Sequence, residues 1–366
     1  MTFCYSPWTN IDISPAGQVA PCCKFIGPLP DYSTVEDYAN SDFLKNIKHD
    51  FQNGQWPPGC DRCRIEEQNS IESKRQLDYQ RWKHHYESYD LQSNQFITAG
   101  VAFGNTCNLK CITCSPDSSS LWYQEHKQIY GRAQAPVKFF KQNFVQDFVA
   151  HAPNIVHLDI PGGEPFLSGV DEQKQLLNQY VQSGQSANTT LHYTTNATIM
   201  PDSEWWNLWQ HFQEVEIQIS IDGIGSRFEY IRYPGDWQTV SGNVAEYVRR
   251  QDQIKLSVSH TVSAYNIYYL DEFFSWCYNQ GLPRPWLGRV HKPAHMRPTV
   301  WHPAAKEFIV AHLMTSQHQD VLTWANLIAN SDDSNLFDTF KQRCQDHDTY
   351  RKLNFKDTFP ELAPYI

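Results

Sequence analysis

Three cysteines, Cys107, Cys111 and Cys114, lie in one short run, GNTCNLKCITCS. Their C-x3-C-x2-C spacing brings three thiolates together, and cysteine thiolates select zinc or iron–sulfur clusters. Closed zinc sites and ferredoxin-type sites normally take four protein ligands. A set of three therefore predicts a four-iron cluster with one iron open to a non-protein ligand. The alternative is a zinc knuckle that a distant histidine or cysteine completes.

A second motif, Gly162-Gly163-Glu164-Pro165, directly follows an apolar run from Ile155 to Ile160. The run is typical of a buried strand. Two glycines let the backbone come close to a ligand, so carbonyls at this turn and the Glu164 region are candidates to receive an ammonium group. Without a ligand, a pair of glycines after a strand is simply a turn.

Together the two motifs resemble those of the radical S-adenosylmethionine (radical SAM) superfamily. The resemblance implies a 4Fe-4S cluster on Cys107, Cys111 and Cys114 whose open iron is chelated by the amino and carboxylate groups of S-adenosylmethionine. It also implies that one electron from the cluster cleaves the sulfonium to give a 5′-deoxyadenosyl radical, which abstracts a hydrogen atom from a substrate C–H bond. Gly162, Gly163 and Glu164 correspond to the S-adenosylmethionine-binding GGEP motif of that family.

Five of the ten cysteines fall within the first 63 residues and predict a small N-terminal metal module. A turn at Gly17 lies between two alternating segments, which predicts a β-hairpin. The arrangement resembles the auxiliary-cluster part of SPASM and twitch domains, although in that family the module follows the barrel. The resemblance implies a second, auxiliary 4Fe-4S cluster, and a structural four-cysteine zinc ribbon is the alternative. The implied ligands are Cys4, Cys22, Cys60 and Cys63, with Cys23 as a spare or substitute.

Strands alternate with helices along the rest of the chain, which is typical of an α/β fold with a parallel sheet or barrel. Six apolar segments, beginning near residues 96, 155, 189, 215, 255 and 286, read as strands. Six strands match the partial (β/α)6 barrel of the radical SAM superfamily. The predicted domains are an auxiliary module over 1–76, a bridging helix over 77–94, a barrel over 95–295 and a C-terminal helical cap over 296–366.

Polar residues at the carboxyl ends of the predicted strands are candidates for cofactor contacts, because ligands gather at that edge of parallel α/β folds. The resemblance implies that Asn196 bonds the ribose of S-adenosylmethionine, and that Ser220 and Arg232 bind its carboxylate. A guanidinium suits that task since its fork matches a carboxylate. Otherwise Asn196 is a turn residue and Arg232 a surface charge. Ile112 departs from the family, where this position is usually aromatic and packs over the adenine.

The substrate is least defined by the sequence. Arg289 and His291 end the sixth predicted strand and His260 lies in the fifth, so all three are candidates to orient a substrate or move a proton. A lone histidine is more often a structural group. The expected partners are a small-molecule or peptide substrate and a flavodoxin-type or ferredoxin-type electron donor. The implied enzyme is an oxidoreductase or maturase, and a non-catalytic iron–sulfur or zinc protein is the competing class.

The composition predicts a globular chain, with 366 residues of which 40% are hydrophobic and 14% aromatic. A net charge of −10 without a basic run argues against nucleic acid and membrane surfaces as partners. The start lacks the pattern of a secretory signal, and no apolar stretch reaches membrane-spanning length. We therefore expect a cytoplasmic protein, in which cysteines bind metal more readily than they form disulfides.

Overall fold

A computed structural model gives the structure of residues 2–68, 72–93, 95–131 and 144–366. The described residues form a mixed α/β fold that divides into two compact units. The first unit holds residues up to 105, together with 144–193 and 201–215. The second unit holds 106–131, 194–200 and 216–366. The predicted domain limits are a separate matter and remain a prediction; residues 69–71 and 94, on which they partly rest, lie outside the described residues.

Eight strands occur in the described part of the chain, and most of their pairings are parallel. The first two strands pair antiparallel, whereas the pairs β1–β3, β3–β4, β4–β5, β6–β7 and β7–β8 are parallel. The predicted strands correspond to β3 to β8, so the alternating pattern located all six. The strand bounds are β1 Asn10–Ile13, β2 Val19–Ala20, β3 Thr98–Val101, β4 His157–Ile160, β5 Thr190–Thr195, β6 Glu214–Ser220, β7 Lys255–Val262 and β8 Trp286–Arg289.

The α-helices of the described residues are numbered in chain order, and six 3-10 turns supplement them. The first-unit helices are α1 Ser6–Thr9, α2 Val35–Ala39, α3 Asp42–Gln52, α4 Asp61–Gln68, α5 Lys74–Glu87, α7 Phe144–His151, α8 Val170–Ser183 and α9 Ser203–Trp209. The second-unit helices are α6 Tyr123–Tyr130, α10 Ser226–Ile231, α11 Trp237–Arg249, α12 Leu270–Asn279, α13 Pro303–Leu313, α14 Gln319–Ala329, α15 Phe337–Arg351 and α16 Phe355–Thr358. The 3-10 turns are Ser120–Trp122, Gln185–Asn188, Ile267–Tyr269, Ala294–Met296, Ser334–Leu336 and Ala363–Tyr365.

The first unit is built on a sheet in which β1 pairs antiparallel with β2 and parallel with β3. The β1–β2 connection is the predicted hairpin: Gly17 has a φ of 75°, and its N–H donates to the Ser14 carbonyl at 2.8 Å. The parallel pairing of β1 with β3 was not predicted, because the short segment NIDI has no strong strand pattern by itself. As a result, a strand from the cysteine-rich N-terminal segment extends the same sheet as β3, β4 and β5.

One face of this sheet is apolar and buried, which fixes the register of its strands. Helix α9 covers the face at β5, where Trp205 and Trp209 pack on Tyr193 with ring centroids 6.1 and 5.4 Å apart. The tryptophans of this helix therefore serve the core, as the sequence indicated. The buried residues of the face are Ile11, Ile13, Ala99, Val101, Leu158, Ile160, Leu191 and Tyr193.

The second unit contains β6, β7 and β8, with β7 paired in parallel to both neighbours. Its core continues into the C-terminal helices, as the amphipathic pattern predicted. Tyr265 packs edge-on against Phe340 of α15, with ring centroids 5.1 Å apart, and Tyr230 packs in the same way on Phe359. The C-terminal segment is thus an integral part of this unit's core. Among the described residues, no helix is both long enough and apolar enough to cross a membrane.

Candidate metal centres and cofactor site

The three-cysteine loop lies in the second unit, and backbone hydrogen bonds hold it beside α10. The Lys110 N–H donates to the Tyr233 carbonyl at 2.7 Å, and the Ile112 N–H donates to the Ile231 carbonyl at 2.8 Å. The Trp122 indole N–H donates to the Cys111 carbonyl at 2.8 Å. Because backbone groups between the cysteines are paired on both sides, the spacing of the thiols is set by the fold and not by the loop alone.

A buried carboxylate behind this loop ties it to the C-terminal helix α15. Glu125 is fully buried, and its oxygens lie 2.8 Å from Lys110 Nζ and 2.7 Å from Arg351 Nε. His347 Nδ1 lies 3.1 Å from the same carboxylate, and Arg351 Nη2 also donates to the Lys110 carbonyl at 2.7 Å. Burial alone would raise the pKa of Glu125, but the bond to His347 and the charges of Arg351 and Lys110 lower it to about 2. The carboxylate is therefore held ionised by three partners.

The thiols of the loop are close enough that the ionisation of one disfavours the ionisation of the next. The pKa of Cys111 is raised to about 12 and that of Cys114 to about 11. Burial is the main cause in both, and the neighbouring Cys107 contributes to both. The guanidinium of Arg232 lowers the pKa of both thiols. A metal replaces the protons of such a set on binding, because thiolates are the ligands. The donor set thus suits a soft metal centre with three cysteine ligands.

Two of the predicted cofactor residues lie at this thiol group. Arg232 Nη1 lies 3.9 Å from Cys111 Sγ, and Asn196 Nδ2 lies 3.8 Å from Cys107 Sγ. Both side chains are nearly buried, at 8% and 7% exposure. Arg232 Nη2 forms a 2.8 Å ion pair with the fully buried Asp222, while its Nε is buried without a hydrogen-bond partner among the described residues. An orphaned donor beside the thiols fits an anionic group that would bind there.

The other predicted residues of the second unit occupy different surroundings. The Ser220 hydroxyl lies 3.1 Å from the Ser259 hydroxyl, at the paired ends of β6 and β7. Ile112 is 1% exposed, so its side chain belongs to the core in this structure. His260 is also buried, and its Nδ1 lies 2.9 Å from the Ile221 carbonyl. Burial lowers the pKa of His260 to about 4, which is the environment of a structural, neutral histidine.

The two catalytic candidates at the end of β8 are not equivalent. Arg289 ends the strand, and its guanidinium lies 3.6 Å from the Asp333 carboxylate and 3.4 Å from the Thr299 hydroxyl. Its pKa is lowered, first by burial and then by the charge of Arg297, with Asp333 opposing. His291 lies beyond the strand and is exposed. Arg289 is therefore held in an ion pair, and His291 is presented to solvent.

The GGEP motif lies in the first unit, immediately after β4. Gly162 has a φ of 97°, and a Cβ placed there would lie 2.8 Å from the Ala102 Cβ and 2.9 Å from the Gly104 carbonyl oxygen. Only glycine fits this turn, because both the backbone conformation and the space exclude a side chain. Glu164 is fully buried, and one of its carboxylate oxygens accepts the Phe166 N–H at 3.4 Å. The motif is a tight, rigid turn at the carboxyl end of its strand.

The N-terminal cysteines also form a group, within the first unit. Burial raises the pKa of Cys4 to about 11 and of Cys60 to about 12, and the charge of Cys63 raises both further. The pKa of Cys22 is raised well above its usual value, first by burial and then by Cys4. The apolar side chains around Cys4 and Cys60 include Phe3, Trp8, Phe25, Phe43, Ile47, Phe51 and Trp56.

The remaining two cysteines show what distinguishes these groups. Burial also raises the pKa of Cys277 to about 12, but among the described residues no second thiol acts on it, and the side chains that act on Cys344 are Tyr265 and Asp348. A raised thiol pKa is thus a sign of burial. In the two groups, unlike at Cys277, neighbouring thiols also raise one another's pKa. In the described part of the chain, no three His, Cys, Asp or Glu side chains converge as ligands of one metal ion do. A four-iron cluster does not require that convergence, because each cysteine binds a different iron.

Sequence reasoning missed the residues that hold the loop from behind. Glu125 and Arg351 are 226 positions apart, and neither stands in a recognisable motif. The one local signal was a charged residue, Glu125, in the apolar register of the short helix α6, which places a carboxylate in the core. It also missed a row of polar residues on the sheet of the first unit, where Asp12, Asp159 and His192 interrupt apolar strand segments.

Neither a protein-family model nor a curated protein matches the sequence. Solved structures with a similar chain path include native anSMEcpe with bound AdoMet, with a TM-score of 0.44 and 15% identity over 59% of this chain and 60% of that chain. Streptococcus suis SuiB bound to S-adenosylmethionine has a TM-score of 0.37 and 10% identity over 96% of this chain and 72% of that one. The radical S-adenosylmethionine methyltransferase TsrM from Kitasatospora setae has a TM-score of 0.36 and 14% identity over 52% of this chain and 35% of that one. At TM-scores this low, the similarity does not by itself establish a shared fold or function.

Proposed function

We propose that this protein is a radical SAM enzyme whose catalytic 4Fe-4S cluster is held by Cys107, Cys111 and Cys114. The observation that carries the proposal is the group of three cysteine side chains on one loop with two donor side chains beside it. Arg232 and Asn196 approach Cys111 and Cys107 to within 3.9 and 3.8 Å. A zinc knuckle would need a fourth cysteine or histidine ligand, whereas an arginine and an amide are found beside these thiols in the described part of the chain.

When bound, the cluster supplies the electron that cleaves S-adenosylmethionine and so provides a hydrogen-abstracting radical. The protein's own contribution is binding and orientation. The buried Nε of Arg232 is available to an anionic group such as the carboxylate of the cosubstrate. The guanidinium also favours the ionised form of the adjacent thiols, because it lowers the pKa of Cys111 and Cys114. Asp222 holds the guanidinium in place through the 2.8 Å ion pair.

The second cysteine group is proposed to hold an auxiliary 4Fe-4S cluster through Cys4, Cys22, Cys60 and Cys63. Four thiols close such a cluster fully, so this group offers no open position to a substrate. Apolar side chains surround the buried Cys4, and such a shell is one of the ways in which a protein tunes a cluster. This arrangement favours a redox or structural role. Oxidation or crosslinking of a substrate is then the reaction class that best uses two clusters.

The alternatives concern the substrate and the class of protein. Within enzymes, a ribosomal-peptide or protein maturase stands beside an oxidase of small molecules. The competing class is a non-catalytic iron–sulfur or zinc protein, for which Arg232 and Asn196 would have no role at the thiols. A flavodoxin-type or ferredoxin-type protein is the proposed electron donor, and the cytoplasm is the proposed compartment.

The test is anaerobic reconstitution with iron and sulfide, followed by metal analysis and a dithionite-driven assay for 5′-deoxyadenosine. Two four-iron clusters give about eight irons per chain. Cys111→Ala is expected to retain about four irons and to form no 5′-deoxyadenosine. The matched control is Cys277→Ala, a buried cysteine outside both groups, which should keep the full iron content and the cleavage activity. Stoichiometric zinc after purification, with no cleavage by the reconstituted wild type, would overturn the proposal.

A further inference from the structure

The sheet of the first unit has a polar face opposite its apolar one. Register places Asp12 of β1 beside Gly100 of β3, Gly100 beside Asp159 of β4, and Asp159 beside His192 of β5. Side chains in one register row point to the same face of a sheet. The row is therefore Asp12, an empty glycine position, Asp159 and His192, and it runs across four consecutive strands.

This polar face is unusual for a parallel sheet. Parallel sheets are normally covered by apolar side chains on both faces. Here the side chain of Asp159 is 39% exposed and that of His192 is 19% exposed, although Asp159 lies on an interior strand of the row. An accessible carboxylate in the middle of a sheet means that this face is open to a ligand or to water, while the opposite face is fully packed.

The row is built as a connected group. His192 Nδ1 lies 2.7 Å from Asp159 Oδ1, which orients the imidazole against the carboxylate. A Cβ at Gly100 would overlap the carboxylate of Asp12, so the glycine makes room for Asp12 to lean towards β4. Asn10 Nδ2 donates to Asp12 at 3.2 Å.

Helix α5 supplies the other charged groups near this face. Lys74 interacts with the charge of Asp12, but its ammonium is bound by Asp78 at 2.7 Å. Trp82 packs on His157, which neighbours His192 on the same face, with ring centroids 5.2 and 5.9 Å apart. Asp12 and Asp159 thus share this face with a lysine that is already paired.

The excess of carboxylates favours a positively charged ligand. Lys74 is already bound by Asp78, which leaves the carboxylates of Asp12 and Asp159, on either side of the empty glycine position, to interact with a cation that enters the row. Trp82 borders the face and already attracts one cation, since the Arg81 guanidinium carbon lies 4.8 Å from its ring centroid. A primary ammonium fits this surface better than a carboxylate or phosphate.

We propose that Asp12, Asp159 and His192 bind the substrate of this enzyme through a protonated primary amine. The two carboxylates bind the ammonium, and the Asp159–His192 pair fixes its position along the row. The inference rests on the proposed function, because it names the substrate class of that enzyme. It also assigns a role to β1, which brings Asp12 from the cysteine-rich N-terminal segment into the sheet.

The experiment uses the full chain and three probes of one length: n-butylammonium, n-butanol and butyrate. Binding is measured by ligand-observed NMR and by calorimetry at pH 7.5 and low salt. We expect n-butylammonium to bind best and more weakly as salt is added. Asp159→Asn and Asp12→Asn should each weaken its binding at least tenfold, because a charge-assisted bond is lost. The control Asp252→Asn, at an exposed turn, should bind as the wild type does.

Each other result overturns the proposal. Preference for butyrate, equal binding of butanol and butylammonium, or equal affinity of the wild type and Asp159→Asn would exclude the row as an ammonium site. Circular dichroism of both variants shows whether they are folded, and Asp159→Asn is an isosteric change at an accessible position. Failure of the ammonium site is separate from failure of the proposed function: a wild type that cleaves S-adenosylmethionine but ignores butylammonium refutes this inference alone, and the opposite result refutes the function alone.

Discussion

Replacing Glu125 by Gln removes the charge that joins the three-cysteine loop to α15. The wild-type carboxylate forms ion pairs with Lys110 at 2.8 Å and with Arg351 at 2.7 Å and lies 3.1 Å from His347, all within the second unit. The variant keeps the shape of the side chain but leaves the buried Arg351 and the partly buried Lys110 without this counter-charge. Removing one partner of a buried ion pair costs about 3 to 5 kcal/mol.

The pKa of Glu125 gives a second value for the loss of folding stability in Glu125→Gln. The folded protein lowers this pKa from 4.5 to about 2. One pKa unit corresponds to about 1.4 kcal/mol, so the shift corresponds to about 3 kcal/mol of stability. Because the folded-state pKa is depressed, this stability is present above about pH 4.5 and is lost as the pH falls towards 2. The difference between wild type and variant should therefore be largest near neutral pH and should shrink in acid.

The assay is anaerobic urea denaturation followed by tryptophan fluorescence, with the iron content after reconstitution as a second readout. The matched control is Glu246→Gln, since Glu246 also binds two arginines, Arg249 and Arg250, but at the surface of α11. Exposed pairs contribute about 0 to 1 kcal/mol. Glu125→Gln should lose about 3 kcal/mol and part of its iron at the loop. A loss below about 1 kcal/mol, or one equal to that of the control, would refute the argument that this carboxylate clamps the loop.

Three further predictions concern single residues. Gly162→Ala should destabilise the protein by about 2 kcal/mol or more in urea titrations, because of its φ of 97° and its contacts with Ala102 and Gly104; Gly242→Ala, in the middle of α11 with open space around it, should instead be neutral or stabilising by up to about 1 kcal/mol. Arg232→Lys keeps a charge for Asp222 but loses the planar fork, so equilibrium dialysis should show about tenfold weaker binding of S-adenosylmethionine to the reconstituted protein; Arg227→Lys, in an ion pair with Glu272, should not change it. The raised pKa of Asp12, about 6 against 3.8, means that the native state holds this proton more tightly, so stability should fall by about 2 kcal/mol as the pH rises from about 4 to 6, and Asp12→Asn should remove that slope.

The strands could be predicted from the sequence because apolar runs mark them directly. All six predicted strands are present, and TTLHYTT and KLSVSHTV coincide with β5 and β7 almost residue for residue. The pairing of β1 with β3 was not predicted, since that pairing depends on sequence positions almost 90 residues away. The local pattern shows which segments can form strands, while the strands with which they pair depend on the tertiary structure.

Site residues that are close in the sequence could be predicted, whereas those that are brought together by tertiary packing could not. Cys107, Cys111 and Cys114 share one loop, and the motif alone placed them together. Arg232 and Asn196 required the resemblance to a family, and both lie at the thiols in this structure. The partners of Glu125 could not be predicted, because α15 reaches the loop only through tertiary packing. The polar row was visible in part, as Asp159 and His192 alternate with buried apolar residues, but the register that aligns them was not.

The group of three cysteines in the second unit and the N-terminal group in the first unit have different surroundings. Around the three-cysteine loop, charged and amide donors approach the sulfurs, and one buried donor of Arg232 is left unpaired in the described structure. Around Cys4 and Cys60 the neighbours are mainly aromatic and aliphatic. An open iron needs donors for the charged molecule that completes it, whereas a fully ligated cluster needs protection from water. Under the proposed function, the loop in the second unit binds the cosubstrate and the first unit holds a closed centre, so Cys111→Ala alone should abolish cleavage while leaving the other cluster intact.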